Sequence, residues 1–310
     1  MRYAKLAIIM MVGGMAAIAS TITAAGEGPL REKLKERLAE RMEQKLAEPP
    51  VAGGTEYNYG SDPLQKLDFW EAHGKDAPLV IFVHGGGWKR GDKRNATGNA
   101  KISHWLAQGY AVASLNYRLV PANTVEQQAQ DVADAIAWMR SRAKQMGFNP
   151  DKIVLAGHSA GAHLVALVGT DEHYLKKAGL SLEELRGIIP IDGAAYDVPA
   201  QRKDGPPVMQ KTYAQAFGDD PARQRALSPT LQAAAPNAPA FLIIHVQRED
   251  GIRQAKALAS ALENAGTSVQ RQEFEGTGLK GHMEINRSLG DPSYPATAVV
   301  DSWLKARFGQ

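Results

Sequence analysis

The sequence predicts an α/β protein with a mostly parallel central sheet, helices on both faces and a small cap insertion. Three observations lead there. From Glu56 onward, apolar runs of strand length alternate with helical patterns. Those runs are continuously apolar, as strands covered on both faces are. Between Asp192 and Pro239 the alternation lapses, so the chain leaves the sheet there and returns.

The composition fits this. The chain has 310 residues, of which 44% are apolar and 22% charged, which is globular and excludes disordered or collagen-like classes. That length allows one large domain or two small ones. With 36 Lys+Arg against 33 Asp+Glu, the formal charge is +3. A balance so near zero argues against a dedicated nucleic-acid binder. There is no cysteine, which removes disulfides, zinc-thiolate sites and a thiol nucleophile together.

Residues 1–25 read as a secretory signal peptide. Arg2 and Lys5 precede an apolar run over 6–18, broken only by Gly13 and Gly14. Small-residue cleavage candidates follow at 17–19 and 23–25. The apolar run is shorter than the roughly 20 residues a spanning helix needs, so no stable membrane anchor is expected. The expected location is therefore periplasmic or extracellular. Residues 26–50 read as a charged amphipathic helix or linker. Leu30, Leu34, Leu38, Met42 and Leu46 form one narrow apolar stripe, and Lys33, Arg37, Arg41 and Lys45 a separate positive one. A surface helix packed by its leucines is the plain reading; a dimer contact or a cover over the site mouth are sharper ones.

Residues 51–310 read as the main α/β domain. Strands are expected over 79–83 and 110–116. A long helix is expected over 123–146, opened by the capping box Thr124–Gln127, with Val125, Val132, Ile136 and Met139 on one face. A strand over 152–156 and a helix over 160–168 follow, then strands over 187–191 and 241–246. A helix over 252–265, a strand over 268–274 and a helix over 296–308 complete the pattern.

Two loops carry the chemistry. Gly157-His158-Ser159-Ala160-Gly161 fits G-x-S-x-G between an expected strand and an expected helix. The chain must turn sharply there, so glycines flank the serine and its hydroxyl stands at the tip. The N–H of Ala160 then faces the reacting oxygen at a helix N-terminus. His84-Gly85-Gly86-Gly87-Trp88 follows the strand at 79–83. Its glycines leave backbone N–H groups unobstructed, as an oxyanion site requires, so Gly86, Gly87 and Ala160 are the expected donors. A phosphate loop would need Lys-Ser/Thr next, and Trp88-Lys89-Arg90 does not supply it.

With both motifs present, the chain resembles the α/β-hydrolases of the esterase/lipase group, whose members carry a His-Gly-Gly-Gly oxyanion loop. Trp88 makes it similar to the feruloyl-esterase-like and arylformamidase-like versions. The resemblance covers roughly 56–308 and not the charged helix before Pro49. It implies the α/β-hydrolase fold and a triad in the order Ser, acid, His. Ser159 is the nucleophile on this reading. Asp250, in Gln247-Arg248-Glu249-Asp250-Gly251 after the strand at 241–246, is the preferred acid. Glu249 is one register away, and Asp192, at the end of an earlier strand, is a third candidate. His282 is the preferred base, in the glycine-rich segment 276–282 after the last strand. His84 and His158 are expected to brace their loops, and His245 to be a core histidine. No metal and no cofactor are expected.

Trp88, Tyr117 and Tyr196 are the expected substrate contacts, with Met209, Tyr213 and Phe217 further candidates in the excursion; core packing is the alternative for each. The reading is a secreted serine ester hydrolase for short-chain or aryl esters, its partner a small-molecule ester. The alternatives are an arylformamidase-type amide hydrolase and a non-catalytic binding module. The sequence leaves the oligomeric state open.

Overall fold

A computed structural model describes residues 51–74, 76–94 and 98–310. The expected leader at 1–25 and charged helix at 26–50 lie outside the described residues.

The strands are β1 (Thr55–Asn58), β2 (Lys66–Trp70), β3 (Ala77–Val83), β4 (Ala111–Leu115), β5 (Phe148–His158), β6 (Gly187–Ile191), β7 (Ala240–Val246) and β8 (Ser268–Phe274). They form one sheet in the order β1-β2-β4-β3-β5-β6-β7-β8. Only β2 runs against its neighbours; from β4 to β8 every pairing is parallel. This is the α/β-hydrolase arrangement expected above.

The helices are α1 (Asn99–Ala107), α2 (Val125–Arg140), α3 (Ala143–Met146), α4 (Ala160–Thr170), α5 (Glu172–Lys177), α6 (Val198–Asp204), α7 (Gln210–Phe217), α8 (Pro221–Ala226), α9 (Pro229–Gln232), α10 (Glu249–Asn264), α11 (Gly278–Ser288) and α12 (Pro295–Phe308). The pleat of β3 shows why both faces are covered. Leu79, Ile81 and Val83 enter one core with Val125, Val132 and Ile136 of α2 and Leu164 and Val165 of α4. Val80 and Phe82 enter the other with Ile102 and Trp105 of α1, Ile285 of α11 and Leu304 of α12. Successive side chains point to opposite faces, so a continuous apolar run satisfies both layers.

Several expected elements change. The helix over 123–146 divides into α2 and α3 at Ser141–Arg142, while the capping box at Thr124 and Gln127 forms as expected. The helix expected from 252 already begins at Glu249. The segment around His282 is the helix α11 and not a loop. The excursion after β6 folds into the short helices α6 to α9. The edge strand β1 is mostly exposed, so it offers no apolar run to detect.

Candidate active site

Ser159 stands between β5 and α4 with φ 56° and ψ −116°. This positive φ is unfavourable for a residue with a Cβ, and the surroundings hold it. The Ser159 N–H donates to Ile191 O at 3.0 Å, tying the turn to β6. The flanking glycines are sterically required. A Cβ on Gly157 would lie 2.5 Å from Gly161 O, and one on Gly161 would lie 2.1 Å from Val83 O. Since α4 begins at Ala160, its first N–H groups lack intrahelical acceptors and point out of the turn.

The glycine loop lies against this turn. A Cβ on Gly85 would approach Ser159 Cβ to 3.0 Å. Gly86 and Gly87 take φ 127° and 62°, and the Gly86 carbonyl accepts from the N–H of Arg90 at 3.2 Å. Turned that way, the loop folds back on itself against the serine turn. His84 braces it: Nδ1–H donates to Gly85 O at 2.7 Å, and the ring stacks on Tyr117 at 4.4 Å. Burial pushes His84 down to about 4, so it is neutral.

The three expected substrate contacts are buried packing residues instead. Trp88, Tyr117 and Tyr196 are 2%, 1% and 1% exposed. Trp88 Nε1–H donates to His163 Nδ1 at 3.3 Å, and its ring meets Phe217 of α7 at 4.8 Å. The opposite nitrogen of His163 donates to Leu227 O at 2.8 Å. Thus Trp88 ties the glycine loop to α4 and to the excursion. Tyr117 Oη donates to His84 O at 2.9 Å. Tyr213 and Phe217 are buried too, and Met209 is partly so. The volume of these rings suits them to fill the base of the cap, which is the reason position alone misleads here.

His282 sits on α11 beside the elbow. Its carbonyl accepts from His158 Nε2–H at 2.9 Å, and the two rings lie 4.4 Å apart. Its Nδ1–H donates to Asp192 Oδ2 at 2.6 Å. The structure therefore corrects the preferred acid: Asp192, the third candidate, holds His282, and Asp250 does not. The reason is local. Because α10 begins at Glu249, Asp250 falls in its first turn, where a carboxylate is favoured. There it accepts from Gln201 Nε2 at 3.0 Å and faces Arg248 Nη1 at 3.3 Å. The Glu249 side chain is 96% exposed. Asp192, fully buried, leaves β6 with φ 43° and so turns its carboxylate toward α11.

Asp192 also accepts from Val246 N at 3.1 Å and Arg248 Nε at 2.9 Å. Burial disfavours its charge, but the His282 hydrogen bond and the Arg248 guanidinium prevail and hold the carboxyl at about 2. Sequence reasoning missed Arg248, which has no motif of its own. It also missed Lys101, buried on α1, whose Nζ donates to Asn286 Oδ1 at 3.1 Å and so anchors α11. A groove of about 590 Å³ between β8 and α12 includes no histidine or carboxylate and lies apart from these residues.

Comparison with known proteins gives the family. The BD-FAE family model matches residues 67–262. The chain belongs to the BD-FAE family. The matched segment includes the glycine loop, Ser159, Asp192 and Arg248, and it ends before His282. Among the chain's relatives, esterase LipC of Mycobacterium tuberculosis (strain ATCC 25618 / H37Rv) is 32% identical over 257 residues, covering 76% of this chain and 61% of LipC. Isoprenylcysteine alpha-carbonyl methylesterase ICME of Arabidopsis thaliana is 34% identical over 110 residues, covering 35% of this chain and 25% of ICME. This BD-FAE member spans 61%, 51% and 48% of the lengths of LipC, LipQ and LipM of Mycobacterium tuberculosis. Among solved structures, esterase B from Lactobacillus rhamnosis (HN001) superimposes with a TM-score of 0.72 at 21% identity, covering 96% of each chain, which supports the fold.

Proposed function

We propose that the protein is an exported serine hydrolase of carboxylic esters, acting on short-chain or aryl esters through Ser159, His282 and Asp192. The observation that carries this reading is the 2.6 Å contact from His282 Nδ1 to Asp192, beside a serine held at a strained strand-to-helix turn. With Nδ1–H engaged by a carboxylate, the proton of neutral His282 is fixed there and Nε2 is left basic. Nε2 then takes the Ser159 proton as Oγ attacks the ester carbonyl. The N–H groups of Gly86, Gly87 and Ala160 receive the oxyanion. The alcohol leaves with the proton from His282, and water repeats the sequence to release the acid. Asp192 stays ionised and stabilises the imidazolium in each half.

The ester names of LipC, LipQ and ICME support an ester substrate. The excursion supports a compact one. Its helices α6 to α9 are short, and Arg223 of α8 pairs bidentately with Glu126 of α2 at 2.7 and 2.8 Å, pinning it down. The charged, apolar and small-residue order of 1–25 supports export. Among the described residues no helix is long and apolar enough to cross a membrane.

The test is hydrolysis of p-nitrophenyl esters from acetate to long acyl chains, with methyl ferulate and N-formylkynurenine alongside, for wild type and Ser159→Ala. The expected result is a short-chain or aryl preference that vanishes in the variant while its thermal unfolding stays normal. Retained turnover in Ser159→Ala refutes the mechanism, and preferred cleavage of N-formylkynurenine refutes the ester assignment.

A further inference from the structure

His282 and Asp192 are not alone. Asp192 Oδ2 is shared between two donors, His282 Nδ1 and Arg248 Nε, at 2.6 and 2.9 Å. The Arg248 fork reaches further: Nη2 points at the carbonyls of Asp192 and Gly193, both at 3.4 Å, and Nη1 at the Asp250 carboxylate. Asp250 is itself held by Gln201 of α6, whose Nε2 also donates to Tyr213 Oη of α7 at 2.9 Å. A continuous polar chain therefore runs from the cap to the acid that orients His282. The Arg248 side chain is 14% exposed and Asp250 8%, so the pair is mostly shielded from solvent.

We propose that Arg248 is a positioning residue of this site. Its guanidinium, clamped by Asp250, fixes the Asp192 carboxylate and opposes a positive charge on His282. The proposal rests on the hydrolase reading for its role but not for its test. Two carboxylates and one guanidinium leave a single net negative charge beside His282. Without Arg248, the Asp192 carboxylate at the imidazole and the Asp250 carboxylate behind it would both be uncompensated and favour its protonated form. The other groups around the pair do not replace Arg248. His158, on β5, is kept neutral by burial and by His282. His245 on β7 is lowered by burial and hydrogen-bonds Val246 O and Arg271. Tyr196 after β6 and Tyr294 before α12 are raised by burial and stay neutral. Lys101 on α1 acts electrostatically on His158 and is engaged with Asn286 and the Phe82 ring. On α11 itself, Lys280 and Glu284 are exposed and of opposite sign.

This gives Asp250 a role distinct from the triad acid: it holds the cation and cancels part of its charge. The arrangement is testable by charge counting. Histidine-labelled protein is titrated by NMR, and the His282 signal is identified by its loss in His282→Gln. In Arg248→Met the His282 midpoint is expected to rise by about one pH unit. Arg248→Gln gives the same shift with a polar replacement, in case the Met variant unfolds. Arg248→Lys, which keeps the charge but loses the fork, keeps the midpoint within a few tenths of a unit while kcat falls. Arg248→Met combined with Asp250→Asn restores one net negative charge, so its midpoint returns toward wild type. An unchanged midpoint in both neutral variants overturns the proposal. So does a double variant no closer to wild type than Arg248→Met. The titration needs no turnover, so a failed hydrolase reading would appear separately, as hydrolysis surviving in Ser159→Ala.

Discussion

Asp192→Asn and Asp250→Asn should separate by several orders of magnitude in rate. In Asp192, Oδ2 accepts from His282 and Arg248 while Oδ1 accepts from Val246 N. An asparagine has one acceptor oxygen and one donor nitrogen for that set. With the oxygen toward His282, its NH₂ meets the Val246 N–H, a buried donor–donor conflict costing about 1–3 kcal/mol. With the NH₂ toward His282, Nδ1 must become the acceptor. The ring then carries its proton on Nε2 and no longer accepts the Ser159 proton. That wrong tautomer costs about 10⁴ in kcat in a serine protease, equivalent to about 5 kcal/mol at about 1.4 per decade. Asp250→Asn touches none of these bonds. Its longer contacts to Arg248, at 3.3 and 3.4 Å, loosen that clamp and alter the field on Asp192, while Val246 N and Arg248 Nε still hold the carboxylate, so a loss within about tenfold is expected. The assay is kcat/KM on p-nitrophenyl acetate for wild type and both variants at pH 7.5, with urea unfolding to normalise for folded protein. A loss of 10³ or more in Asp250→Asn, with Asp192→Asn within tenfold of wild type, would refute the assignment of the acid.

Two further outcomes concern stability. Burial pushes His163 down to about 4, so the folded protein stays neutral there while the unfolded chain binds a proton below about 6.5. Its contribution is full above pH 6.5 and is lost as pH falls toward 4, so His163→Gln should flatten that dependence by about 1.4 kcal/mol per pH unit, read from urea midpoints at pH 7, 5.5 and 4.5; an unchanged slope would mean His163 is protonated in the fold. Gly161→Ala should cost roughly 3 kcal/mol or more, because its Cβ would meet Val83 O at 2.1 Å, where backbone cannot yield. Gly266→Ala, with φ 76° and open space around it, should cost only about 1–2 kcal/mol, and thermal unfolding would expose any reversal of that order.

The parts of the fold legible in the sequence are those whose physics is local. The runs at β3, β4, β6 and β7 are apolar because both faces are covered, and Thr124 with Gln127 caps α2 through neighbours three residues apart. The Ser159 turn was legible because glycines at 157 and 161 are the only residues that fit. What escaped depended on distant partners. The helix α11 looks like a loop because Gly276, Gly278 and Gly281 crowd its start, yet Ile285 enters the core and Lys101 of α1 anchors Asn286. Nothing near residue 282 announces that contact 185 residues away. The aromatic side chains of Trp88 and Tyr117 read as site walls because they follow strands, whereas their polar tips are spent on His163 and His84.

The acid shows most clearly what separates motif from geometry. Both Asp192 and Asp250 follow parallel neighbouring strands, β6 and β7, at the same end of the sheet. Either strand end lies within reach of a base arriving after β8, so strand order alone leaves two solutions. The backbone decides between them. Asp192 takes a positive φ as it leaves β6, whereas Asp250 enters α10, whose first turn already engages a carboxylate. Arg248 then makes the choice self-consistent. A guanidinium placed between the two carboxylates binds both, and only one of them also faces His282. A chain with an acid at each strand end thus needs a cation between them, since two ionised carboxylates sharing one buried site would repel and one would take a proton.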